Sequence, residues 1–85
     1  MTIQEAYEKV KQLPNNNFLI ECLDLGDSWG FGFSQKPYDE NDSNTWVGGA
    51  YDTVNKQTGE IGAFNPFHDF EKADSAIEIP IEQFQ

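Results

Sequence analysis

An α+β domain is the fold class that the sequence predicts, with an N-terminal helix packed on an antiparallel meander sheet of four to five strands. Three observations point to it. The chain opens on apolar residues spaced three and four apart. A run of alternating rings and glycines follows, Trp29-Gly30-Phe31-Gly32-Phe33. Short apolar segments and turn residues then succeed one another closely, as in strands joined by tight loops.

Residues 2–13 read as an amphipathic helix. Thr2 is a natural N-cap, and Glu5 lies three places on, the capping-box spacing. Ile3, Ala6, Tyr7, Val10 and Leu13 form one apolar stripe. Pro14 and the Asn15-Asn16-Asn17 run stop the helix.

Phe18 to Leu25 reads as the first strand, apolar on both parities and so partly buried on both faces. Phe18, Ile20 and Cys22 share one parity; Leu19, Leu23 and Leu25 share the other. Gly26-Asp27-Ser28 is a turn, and Trp29 to Ser34 completes a hairpin. Residues 35–45 are polar and aperiodic, which marks an exposed loop. Trp46 to Asn55 is a third strand, with a bulge expected at Gly48-Gly49. Asn55 opens a turn and Gly59 suits its left-handed position, so Glu60 to Phe64 returns as a fourth strand. Residues 67–75 are either a helical turn or a loop. Ala76 to Pro80 alternates as an added strand, and Ile81–Phe84 forms a short turn.

The 85 residues suffice for a single domain, 1–85. Seven Phe, three Tyr and two Trp supply most of the core bulk. Fifteen Asp and Glu oppose five Lys, with no Arg, for a net charge of −10. That field repels nucleic-acid phosphates and anionic lipid, and speeds association with a basic protein. It also keeps a small protein dispersed, as a monomer or weak dimer. The single Cys22 allows no internal disulfide, which fits a reducing cytoplasm. No apolar run is long enough to span a membrane, and the first residues carry acid where a signal peptide carries basic residues.

Chemical motifs are sparse. The run Asp39-Glu40-Asn41-Asp42-Ser43-Asn44 offers hard oxygens of the kind Ca²⁺ takes. Counted from Asp39, however, the glycine and glutamate of an EF-hand loop fall on Asn44 and Ala50. No metal site, cofactor or catalytic residue is therefore assigned. His68 beside Asp69 has no nucleophile in a recognisable local motif, and Cys22 lies in an apolar strand. Gly30-Phe31-Gly32 lacks the third glycine of a phosphate loop.

Two orientations of the second strand remain open. Its rings face the helix and form the core, or its glycines admit the helix and the rings face outward. In the second case they join Tyr38, Trp46 and Tyr51 in an aromatic patch rimmed by acids, the usual composition of a protein-binding hot spot.

The order of features is similar to one known family. A helix and strand precede Trp29-Gly30-Phe31-Gly32-Phe33, and after a polar loop comes Gly48-Gly49-Ala50-Tyr51-Asp52-Thr53-Val54-Asn55-Lys56-Gln57-Thr58-Gly59-Glu60. Over residues 3–64 this resembles the YrhB-like proteins of the immunity protein 35 family, short bacterial cytoplasmic proteins that look like antidotes to toxins. The chain departs from that pattern at Asn55, where Asp is common, and at Gly49-Ala50-Tyr51. The resemblance implies no catalytic residues.

The expected function is a non-enzymatic protein-binding module, an immunity protein in the resemblance's terms, which occludes a basic toxin surface through Tyr38, Asp39, Glu40, Asp42 and Trp46. The alternative is a small-ligand-binding or regulatory domain with a pocket between helix and sheet.

Overall fold

The computed structural model describes residues 1–14, 16–34, 39, 41, 51–66 and 68–84. In chain order they form helix α1 (Ile3–Lys11), strands β1 (Phe18–Asp24), β2 (Ser28–Ser34), β3 (Tyr51–Asn55) and β4 (Ile61–Phe64), helix α2 (Phe70–Ser75), strand β5 (Ile77–Ile79) and a closing 3-10 turn (Ile81–Phe84). The fold is α+β. Its sheet is antiparallel throughout, in the order β4-β3-β2-β1-β5.

The helix begins where the sequence places it. The Glu5 backbone N–H donates to Thr2 Oγ1 at 3.2 Å, and the Thr2 N–H donates to Glu5 Oε1 at 2.9 Å. Two of the helix's orphan donors are thereby satisfied, and the Thr2 N–H holds the Glu5 carboxyl below its ordinary pKa. Beyond the helix end, Asn16 fastens α1 to the sheet. Its Nδ2 donates to the Val10 carbonyl at 2.7 Å and to Asp52 Oδ2 at 2.8 Å.

The helix lies on the ring side of β2. Phe31 is 0% exposed. It packs with Ala6, Tyr7, Val10, Leu19, Cys22, Val54 and Phe84, while Trp29 and Phe33 border this cluster half-buried. Tyr7 is the hub. Its ring centroid lies 4.9 Å from Phe84, 6.2 Å from Phe31 and 6.3 Å from Phe33. These separations suit offset and tilted aromatic contacts. The outward orientation of the rings is therefore excluded.

β1 departs from strict alternation. The register against β2 slips between Leu19 and Glu21, a bulge that leaves Ile20 as the extra residue. Leu19 consequently joins Cys22 in the core, although the two have opposite parity in sequence, and Phe18 is exposed. The bulge expected at Gly48-Gly49 lies outside the described residues, as does 46–50 of the expected third strand.

Turn chemistry fixes the hairpins. Between β3 and β4, Asn55 Oδ1 accepts from the Gln57 and Thr58 N–H groups, and the Gly59 N–H donates to the Asn55 carbonyl at 2.9 Å. Gly59 has φ +73°, the left-handed value that glycine adopts without strain. Its carbonyl accepts from Lys9 Nζ, which ties the hairpin to α1.

The fourth and fifth strands occupy opposite edges. After β4 the chain crosses the face not covered by α1, makes α2 over it and adds β5 beside β1, pairing Cys22 with Ile79. Pro80 has no N–H to continue the ladder. The closing turn then brings Phe84 under Tyr7.

Replacing Phe31 by Ala removes the most enclosed ring and is expected to cost about 3–5 kcal/mol. Urea denaturation followed by tryptophan fluorescence measures this. A loss below about 1 kcal/mol contradicts a buried Phe31.

Candidate functional site

The expected contact surface falls largely outside the described residues. Tyr38, Glu40, Asp42 and Trp46 are not among them. Asp39 is exposed, and its Oδ1 accepts from the Asn41 N–H at 2.9 Å, a local turn bond. The connection that carries these residues leaves β2 at Ser34, the residue paired with Phe18. Ser34 lies at the end of the sheet where α1 hands over to β1.

The acid excess is sharpened by where the cations go. Lys56 Nζ lies 2.8 Å from Asp24 Oδ1 and 5.4 Å from the Trp29 ring centre. Lys72 faces Asp27 at 3.6 Å. Lys11 sits 5.5 Å over the Tyr7 ring, and Lys9 bonds the Gly59 carbonyl. Each described lysine is thus engaged within the chain. Among the described residues, Glu8, Glu60, Glu71, Asp74, Glu78 and Glu82 are exposed acids.

Cys22 and His68 are kept apart. Cys22 is fully buried on the helix-facing side of β1. Burial, helped by the negative charges of Asp24 and Glu21, pushes its thiol up to about 12, so it stays protonated at neutral pH. His68 is exposed in the connection after β4. The Ser75 hydroxyl donates to the Glu71 and Lys72 carbonyls inside α2, and that of Ser28 to Asp27. Among the described residues, no group of three His, Cys, Asp or Glu side chains is placed to hold a metal ion.

A different constellation lies on the second face of the sheet. There β2 offers Gly30 and Gly32, so the floor is low. A Cβ at Gly30 would stand 3.2 Å from Leu25 Cδ1 and 3.7 Å from Tyr51 Cβ. Tyr51 uses this space to lean from β3 across β2, and its hydroxyl donates to Glu21 Oε1 on β1 at 2.6 Å. Burial first, then the Glu21 bond, raises the phenol's pKa and keeps its proton in place. Beside this pair is a depression of about 330 Å³, walled by Leu23, Phe64, Ala73 and Glu78 among others. Its sequence signal is the ring–glycine alternation itself, because glycines on one parity imply a neighbour that uses the room. At Gly30 the neighbours are Leu25 and Tyr51.

The space between helix and sheet is filled by Tyr7, Phe31 and Phe84. A depression lined by Tyr7, Lys11, Phe18 and Phe84 lies at its margin.

No family model, curated protein or solved structure matches this chain. Among the described residues, no helix is long and apolar enough to cross a membrane.

Lys56, then the Gly26 N–H, holds the Asp24 carboxyl below its ordinary pKa. The folded state therefore favours ionised Asp24. Its contribution is complete above about pH 5 and is lost as pH falls through the lowered value. For a partly exposed pair the amount is under about 1 kcal/mol. Denaturation of Lys56→Met between pH 3 and 7 should show a deficit that narrows toward low pH; a deficit that widens in acid contradicts the pairing. Cys22 should react with iodoacetamide at least about a hundredfold more slowly in the native protein than in denaturant. Equal rates contradict its burial.

Proposed function

We propose that this chain is a non-enzymatic module that binds a basic protein, in the manner of an immunity protein that neutralises a toxin by covering its surface. One observation carries the reading. The chain has a net charge of −10, and each described lysine is already engaged internally. The field that remains is negative, and such a field accelerates encounter with a positive surface. The acid run beside two aromatic residues, Tyr38, Asp39, Glu40, Asp42 and Trp46, supplies the candidate contacts, with rings as anchors and carboxylates as rim. The lone Cys22 supports work in a reducing compartment, the cytoplasm.

The test is recovery of the partner from the source cell by immobilised protein. Asp39→Asn, Glu40→Gln and Asp42→Asn together should abolish recovery at 150 mM salt, and the unsubstituted protein should lose it at high salt. Recovery that ignores both changes contradicts the reading.

A further inference from the structure

The second-face depression has a ligand chemistry of its own, apart from the acid loop. Its polar side chains present only acceptors to a ligand. Glu21 and Glu78 contribute carboxylates. The Tyr51 proton is already committed to Glu21, so the phenol has only lone pairs left to offer. Among the described residues, no lysine forms an ion pair with Glu21 or Glu78. The other walls are apolar, with Leu23 on β1, Phe64 closing β4 and Ala73 on α2. The volume, about 330 Å³, lies at the small end of ligand-sized cavities.

A ligand that suits these walls must bring donors at its tip and methylenes behind them. Anions meet two like charges. Neutral apolar groups gain nothing from the carboxylates. A lysine or arginine side chain satisfies both demands, because its stem lies on apolar surface while its ammonium or guanidinium donates to carboxylates. Glu78 also borders a neighbouring depression of about 420 Å³ that contains Ile20 and Glu82. A basic segment continuing past Glu78 thus meets a further carboxylate beside a further apolar wall.

We infer that the depression between the sheet's second face and α2 receives a lysine or arginine side chain presented by a basic protein. The source of that side chain rests on the function proposed above. The pocket's preference for a cation stands on its own residues.

The experiment separates the two. Capped lysine and capped arginine methylamides are titrated into the ¹⁵N-labelled protein, with the capped norleucine derivative as the uncharged control. Shift changes for the cationic probes should centre on Glu21, Leu23, Tyr51, Ala73 and Glu78, and the norleucine derivative should bind at least about tenfold more weakly. Glu21→Gln with Glu78→Gln keeps an acceptor for Tyr51 and should weaken the cationic probes about tenfold or more. Ala73→Leu, which fills the space without changing charge, should also weaken them, whereas Glu8→Gln with Glu60→Gln should not. Shifts spread evenly over the acidic surface, equal binding of norleucine, or indifference to the Glu21 and Glu78 changes overturns the inference. No partner is present in this titration, so its failure leaves the loop-directed binding untouched. A positive result alongside failed partner recovery would keep the pocket and remove the partner.

Discussion

The alternation of rings and glycines along β2 sets both faces of the sheet. A strand sends successive side chains to opposite faces, so five residues decide two surfaces at once. Trp29, Phe31 and Phe33 give one face its bulk, and α1 has an apolar stripe to lay against them. Gly30 and Gly32 leave the other face bare. That bareness has a use of its own, because Tyr51 can lean across it to Glu21. In a chain this short, one strand that builds a core and clears a floor saves structure elsewhere.

Much of the fold is legible because its signals are local. Thr2 and Glu5 lie three residues apart, and both halves of the capping box form. Asn55 and Gly59 sit at the offsets of a bulged hairpin, and the φ of Gly59 confirms the turn. The less legible features depend on residues far apart in sequence. Nothing near Ile20 announces a bulge, yet it moves Leu19 from one face to the other. Nothing in the alternation of Ile77 and Ile79 tells which edge they join; that depends on the path over the second face and on Ile79 matching Cys22. Phe84 enters the core only because Pro80 ends the ladder and a tight turn follows.

The same distinction applies to the sites. The acid loop stands out in sequence because Asp39, Glu40 and Asp42 are close neighbours, but its partner surface is not encoded there. The second-face constellation is silent in sequence because Glu21, Tyr51 and Glu78 come from three strands and converge only when the sheet forms. The glycines are its one trace. The lysines connect the two readings. Lys56 and Lys72 neutralise the nearby acids Asp24 and Asp27, which steadies the turn region and leaves the outward acids uncompensated. Individually these contacts are weak. Beyond a Debye length, about 8–10 Å, each such pair presents almost no net charge, so the outward acids set the field.

The helix lies on the ring face of β2, and the nuclear Overhauser spectrum of the Tyr7 ring reads that placement. The Tyr7 ring protons should show cross-peaks to the rings of Phe31, Phe33 and Phe84, and Tyr51 should show its own to the α-protons of Gly30. Cross-peaks from Tyr7 to the α-protons of Gly30 and Gly32, with none to Phe31, would contradict it.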